Sequence, residues 1–462
     1  MLDTLRRRPA GGKLARSLAA TRYVDFPDDA QDKDWRRRNA SAVKDGATDS
    51  RKLGSWRDFA LKLAGADREN SPHLLLARQK SRLMVNMAGG VFENGNLCLD
   101  RVSGIPFLPG SAVKGCTRRL ALAALQEWIS GELIPGDGEN LLSAAVADFK
   151  SPEDFLFQLC LIFGWGDLEW HDSKDKSDFA WACGEQWNSF RFGVVGKLCA
   201  HLRIEPKDKE RPWKSLPHFA GSVAFLPAYP WEKDPGIELD VITCHHSEYY
   251  KGNDAFADAP DTEEPVPVIF PAIAPGGTWA FLLQPTARTQ DHQIETARAW
   301  LALGLEALGI GAKTNAGYGW FDASQVVNEQ AWESLAVAEK REKEAAAREA
   351  GRINHEAELE KRRRAREAEA AATKGMSEDE RADWKLAQLS DDQLSSKVHA
   401  FFKEPKKGGP SAEESKAIVR ALRGSKLDFW NQFKTSAVKG DPARAADAIR
   451  ALNKQLFGDK MP

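Results

Sequence analysis

The sequence has no excess of either charge: 65 Lys and Arg against 67 Asp and Glu leave a formal net charge of −2 over 462 residues. With no global basic field, any nucleic-acid surface must be a local groove. Long hydrophobic runs are missing too. None approaches the roughly 18 apolar residues of a membrane span, and no apolar stretch long enough for a signal peptide follows Arg6-Arg7-Arg8. These absences predict a soluble, cytoplasmic protein that has no membrane partner. Cysteine is scarce, with six residues (Cys98, Cys116, Cys160, Cys183, Cys199 and Cys244), no Cys-x-x-Cys pair and no His/Cys cluster at zinc-finger spacing. Buried thiols in a reducing compartment are expected, with no metal and no cofactor. No Gly-x-Ser-x-Gly elbow or His-Glu-x-x-His helix occurs, so nothing in the sequence forces an enzyme.

What is present divides the chain into four parts. Residues 1–70 form a polar N-terminal arm with Arg36-Arg37-Arg38 and a helix near Trp56–Ala64. Residues 71–330 mix strand-like runs with helices at 112–130 and 291–308, the pattern of an α+β domain. Within it, Phe163 to Leu216 is rich in Trp, Asp and Lys and reads as an insertion. Residues 331–374 are almost wholly Ala, Glu, Lys and Arg, with Glu339/Lys343, Glu344/Arg348, Glu358/Arg362 and Glu360/Arg364 at i,i+4 in the favourable order. Only Ile353 and Leu359 interrupt the polar run between Glu339 and Ala372, so no coiled-coil seam exists and a solvated single helix is predicted. Residues 375–462 form a small helical module over 376–402, 411–422 and 427–456, with Trp384, Phe401, Phe402, Trp430 and Phe433 as apolar anchors.

Two glycine-punctuated segments carry the functional signal. In Ile105-Pro-Phe-Leu-Pro-Gly-Ser-Ala-Val-Lys-Gly115, residues 104–108 read as a strand, Pro109-Gly110 as a turn and Ser111 as a helix cap. Lys114 and Arg118 lie i,i+4 on one side of that helix, with Arg119 beside them. Unpaired N–H groups at the helix start next to Lys114 are a candidate anion site. An ordinary capped helix with a solvated basic side fits the same residues.

In Gly309-Ile-Gly-Ala-Lys-Thr-Asn-Ala-Gly-Tyr-Gly319 the comparison with a nucleotide-binding P-loop fails. Ala312 rather than glycine precedes Lys313, and a helix rather than a strand enters. The dinucleotide pattern fails at Thr314. What remains is a loop offering backbone N–H groups, Gly309, Gly311, Lys313, Thr314, Asn315 and Gly317, with Tyr318 able to stack on a base. A helix end followed by a structural hairpin, with a strand over 318–321, is the alternative. Cys244-His245-His246 with Tyr249 and Tyr250 is the one His-aromatic concentration; His246 and Tyr249 can stack on RNA or simply pack a sheet edge. Asp167, Glu169, His171 and Asp172 read as a solvated loop rather than a metal cluster.

On these residues the chain resembles the RAMP superfamily, the RNA-binding proteins of CRISPR effector complexes. Gly309–Gly319 is similar to that family's glycine-rich loop, and Pro109-Gly-Ser-Ala-Val-Lys-Gly115 to its early turn and helix. Ser71-Pro-His-Leu-Leu-Leu-Ala-Arg78, Phe163-Gly164, Gly221-Ser-Val-Ala-Phe225, Leu239–His246 and Pro265–Phe270 follow in the order of the sixth-subunit family of type III-B (Cmr) effectors. Departures are Cys244 where that family has proline and Pro227-Ala228 where it has Asp-Ala. The resemblance covers residues 71–323. It implies a ferredoxin-like, RRM-related core with insertions, carrying here a C-terminal all-α extension. It also implies partners: CRISPR guide RNA, complementary target RNA and other RAMP subunits, in antiviral defence. The implied role is to bind the guide near its 3′ end and cap the backbone filament without catalysis. The alternatives are a RAMP ribonuclease that processes or slices RNA, or a scaffold acting through the C-terminal helices.

Overall fold

The computed structural model describes residues 14–21, 34–68, 70–88, 96–138, 140–252, 258–259, 261, 265–286 and 289–462. It is a mixed α+β fold with a β-sheet core and an extensive C-terminal helical region. Among the described residues the chain begins with α1 (Arg16–Thr21), α2 (Trp35–Lys44) and α3 (Arg51–Ala64). Strand β1 (Leu74–Gln79) leads to α4 (Gly110–Ser130), α5 (Leu141–Val146), α6 (Pro152–Phe163), α7 (Asp178–Cys183) and α8 (Trp187–Leu202). Then come β2 (Val223–Phe225), β3 (Tyr229–Pro230), β4 (Ile237–Cys244), α9 (Ser247–Tyr250), β5 (Val266–Ile273) and β6 (Thr278–Pro285). Helix α10 (Asp291–Ala307), strand β7 (Phe321–Asp322) and the 48-residue α11 (Gln325–Ala372) follow. Helices α12 (Glu378–Ala387), α13 (Asp391–His399), α14 (Ala412–Arg423), α15 (Leu427–Ser436) and α16 (Asp441–Phe457) complete the chain.

The chain divides into two compact units, Met1–Lys340 and Arg341–Pro462. The first is built on an antiparallel sheet in the order β2-β6-β1-β7, with β3 also pairing β6. Side chains alternate along a strand, so Leu-Leu-Leu-Ala in β1 must bury both faces. It does. Leu75 and Ala77 join Phe281 and Leu283 in the core beneath α4 and α10. Leu74 and Leu76 join Ala280 and Leu282 against Ala60 and Ala64 of α3, Trp231, and Ala331, Trp332 and Leu335 of α11. The sheet is therefore covered on both sides.

That second layer changes how two sequence segments are understood. Within residues 1–70, α3 is part of the sheet's packing. The long helix starts six residues before position 331, and one face of its first turns is buried through Val327, Ala331, Trp332 and Leu335: Trp332 meets Trp231 edge-on at 6.0 Å between ring centroids. The wholly polar helix predicted from Trp332 onward is thus rooted in the core, and its polar part begins further along, where Ile353 and Leu359 are exposed.

Helix α4 begins two residues earlier than the capping motif predicts. Pro109 occupies the N-cap position, Ser111 is exposed inside the first turn, and no side chain caps the helix. Gly110 is required by packing: a Cβ there would sit 2.2 Å from the Phe225 carbonyl oxygen. Residues 104–108 form no strand. Pro106 and Leu108 make isolated bridges to two different partners, Leu99 and Ala228, and the segment then runs straight into the helix.

Residues 163–216, read from the sequence as an insertion, carry an aromatic cluster in which Trp170 stacks on Trp187 at 6.3 Å and the Arg191 guanidinium lies 3.8 Å from the Trp213 ring centroid. In the second unit, capping boxes at Ser377/Glu380, Ser390/Gln393 and Ser411/Glu414 start three helices. Leu394, Val398, Ile418, Leu422, Trp430 and Ile449 form its core. Phe401 and Phe433 are buried there and Phe402 packs against it, whereas Trp384 is only half-buried. The two longer helices expected over 376–402 and 427–456 are each broken in two, by Ser390 and by the turn before Pro442.

Candidate nucleic-acid interface

The glycine-rich loop is braced from within. Ile310 N–H donates to the Gly319 carbonyl at 2.9 Å, Gly319 N–H to Arg82 at 2.7 Å, and Ala312 N–H to Met84 at 2.7 Å. The segment after β1 is the loop's bed. Gly311 (φ +99°) and Gly319 (φ +72°) allow this docking, since Cβ atoms there would stand 2.3 Å from the Met84 carbonyl oxygen and 2.0 Å from that of Ile310. Gly317 (φ +91°) faces open space. A 3₁₀ turn, Thr314–Ala316, fills the middle, and the strand expected over 318–321 is confined to Phe321–Asp322. Lys313 takes a left-handed backbone (φ 59°). Among the described residues, the N–H groups of Lys313, Thr314 and Asn315 donate to nothing.

The loop's side chains lean on the two-stranded sheet of β4 and β5. Lys313 Nζ lies 4.5 Å from the Phe270 ring centroid, and the Tyr318 hydroxyl donates to Asp240. Arg82 bonds Asp240 Oδ2 at 3.0 Å and Glu238 Oε2 at 2.9 Å. Burial pushes Asp240 up, but the Tyr318 hydroxyl, the Val241 N–H and Arg82 outweigh it and hold the carboxyl below its usual range. Burial and the same hydrogen bond push Tyr318 up to about 12. Tyr318 is therefore committed at its hydroxyl to the protein.

The two glycine motifs meet in space. Cys116 of α4 donates through Sγ to the Gly309 carbonyl at 3.4 Å, and its thiol is pushed up to about 12 by burial. Lys114 lies two residues away, about 200° around the helix and so on the opposite side. Its ammonium donates to the Ala220 carbonyl at 3.1 Å, and burial, with Arg118 nearby, lowers its pKa. Arg118 pairs with Asp178 and approaches Glu169 Oε1 at 3.7 Å. The pair predicted to hold phosphate is thus spent on internal partners and separated from the glycine loop by the body of α4. Arg119 is exposed and makes no ion pair among the described residues.

The His-aromatic concentration lies beyond the far end of β4. Strand pairing stops at Cys244 with Val266, and the His246 carbonyl accepts the Tyr250 N–H at 3.1 Å. Tyr249 and Tyr250 are 44% and 76% exposed and pack edge to face at 5.4 Å. From Asp240 to Cys244 the strand rises roughly 13 Å at ~3.3 Å per residue. His246 and Tyr249 therefore form a separate surface from the loop.

Over 263 residues the sequence is 28% identical to the CRISPR system Cmr subunit Cmr6 of Pyrococcus furiosus, covering 55% of this chain and 69% of that protein. The chain resembles Cmr6. No family model matches it. Among solved structures, a chain of the type III-B Cmr-beta complex bound to cognate target RNA shares 18% identity at a TM-score of 0.35, covering 65% of this chain and 78% of that one. The crystal structure of Cmr6 from Pyrococcus furiosus gives 22% identity and 0.25, covering 54% and 97%.

Sequence reasoning missed Arg82 and Glu238 and met Asp240 only within the Leu239–His246 resemblance, not as part of a charged bed under the glycine-rich loop. Their spacing carries no motif; only pairing between β4 and β5 and the course of the chain after β1 bring them together. Glu169, expected in a solvated loop, accepts the Gly166 N–H at 2.9 Å beside Arg118. No helix among the described residues is long and apolar enough to cross a membrane.

Proposed function

We propose that this chain is a non-catalytic, guide-RNA-binding RAMP subunit of a type III CRISPR ribonucleoprotein. It caps the filament of backbone subunits near the guide 3′ end and helps hold the guide–target duplex. The observation that carries the reading is the 263-residue similarity to Cmr6. The strand order supports the ferredoxin-like part of it. Taking β1, β2, β6 and β7 as strands one to four, with α4 and α10 as the two crossovers, gives β-α-β-β-α-β in the order 4-1-3-2. Because both sheet faces are covered, RNA must use loops and helix grooves rather than the open sheet of an RRM. The proposed partners are guide RNA, target RNA and other RAMP subunits.

Purifying the complex from its native host and sequencing the bound RNA tests this. Guides derived from CRISPR repeats support it, and unrelated RNA or none overturns it. Incubation with labelled guide precursor and target, with and without Mg²⁺, tests the non-catalytic part; cleavage that follows the purified chain overturns that part.

The separate core of residues 341–462 favours a second role, as a protein-docking scaffold. Truncation after Lys340 keeps Trp332 and Leu335 in place and should leave RNA binding intact. A cut at Val327 removes them and should unfold the sheet's second layer, read as a lost cooperative melting transition.

A further inference from the structure

We propose that the groove between α4 and α7 binds one nucleotide of single-stranded RNA, its base stacked on Trp181 and its phosphate between Arg119 and Lys174. This rests on the RNA-binding reading above and gives it a specific site.

The groove follows from two helical faces. Gly115, Arg118, Arg119 and Leu122 are spaced i, i+3, i+4, i+7 and line one wall. The facing wall is α7, a helix of six residues whose Phe179, Ala180, Ala182 and Cys183 are buried in the core. Only Asp178 and Trp181 of α7 face outward. Trp181 is 43% exposed, whereas Trp170, Phe179 and Trp187 are buried.

The charges are not balanced. Arg118 is held by Asp178 and Glu169 and lies 5.5 Å from the Phe179 ring centroid, so its charge is met within the protein. Arg119 and Lys174 are exposed, and neither makes an ion pair among the described residues. Two unneutralised cations beside an exposed indole match a phosphate with an attached base. An acidic peptide would satisfy the cations but has no use for the flat face of Trp181. Gly115 matters for room: its Cβ position has nothing within 4 Å, so the wall opens there.

The test uses the full-length protein and a fluorescein-labelled oligouridylate about ten nucleotides long, read by anisotropy across a salt series. Replacing Arg119→Glu with Lys174→Glu should weaken binding about tenfold or more and lower the salt slope by about 0.7, the value of the one phosphate the two cations share. Trp181→Ala should weaken binding several-fold, and Trp181→Phe should restore most of it. Gly115→Leu should weaken binding while melting no lower than wild type, because leucine favours a helix over glycine. If wild type binds the oligonucleotide and all these variants bind equally well, the groove is not the site and the general RNA reading stands. If folded wild type binds no RNA, the RNA reading itself falls and the groove proposal with it. Binding of an oligoglutamate peptide that these variants abolish, with RNA binding unchanged, assigns the groove to an acidic protein partner instead.

Discussion

The glycine-rich loop and the α4 helix start look alike as sequence, each offering glycines, a lysine and small polar residues, yet the fold uses them in opposite ways. In the loop Gly309, Gly311 and Gly319 face inward and only Gly317 of the four faces open space. Gly311 and Gly319 let backbone meet backbone, while the N–H groups of Lys313, Thr314 and Asn315 are left over. At the helix start the cations face inward. Lys114 and Arg118 tie α4 to Ala220, Glu169 and Asp178, while Gly115 and Arg119 stand at the open side. A shared residue composition therefore marks a shared need for close packing, and the ligand-facing groups are those that packing does not consume.

The sharpest way to break this comparison is to fill the inner glycines. Gly319→Ala places a Cβ against the Ile310 carbonyl in a left-handed backbone. Strain of about 1–2 kcal/mol for the backbone adds to about 1–3 kcal/mol for overpacking. Gly311→Ala should behave similarly. Gly317→Ala meets nothing and carries the backbone strain alone. Thermal unfolding should rank Gly319→Ala and Gly311→Ala well below Gly317→Ala. Equal losses at all three positions would show that docking on the Met84 segment is unimportant.

A second, smaller effect probes the loop's charged bed. Tyr318 is raised to about 12 in the fold against about 10 in an unfolded chain. A raised pKa means the fold prefers the protonated phenol. Its contribution is complete below pH ~10 and is lost as pH rises through about 12. Wild type should therefore lose melting temperature between pH 10 and 12, and Tyr318→Phe should lose less over that window while starting lower at pH 8. Asp240 shifts the other way: its depressed carboxyl stabilises above its unfolded value of ~3.9, and that support disappears as pH falls below it. A Tyr318→Phe curve parallel to wild type from pH 8 to 12 would detach the hydroxyl from loop stability.

Much of this organisation was legible in the sequence because it is periodic or local. The stripe of Val113, Leu120 and Ala124 placed α4, and the apolar spacing of Ile294, Ala297, Leu301 and Leu305 placed α10. The charged run after residue 339 marked the exposed length of α11. What escaped was whatever depends on distant pairing. Nothing local says that Trp332 buries against Trp231, or that Arg82, Glu238 and Asp240 share one site. The same limit explains the basic pair: i,i+4 spacing showed that Lys114 and Arg118 share a face but not that Ala220 and Asp178 would occupy it.

The smallest expected effect bears on that basic pair. Lys114→Ala removes one hydrogen bond to Ala220, a neutral carbonyl, at a cost of about 1 kcal/mol. Arg118→Ala breaks a partly exposed ion pair, in the range of about 0–1 kcal/mol. If their partners are internal, both variants should melt slightly lower and bind RNA nearly as well as wild type, with an unchanged salt slope. Arg119→Ala should do the reverse, keeping its melting temperature and losing up to about 0.7 from the slope, the value of the phosphate it shares with Lys174. A Lys114→Ala protein that melts like wild type but loses RNA affinity would restore the helix start as an anion site and place the Ala220 contact among those that RNA displaces.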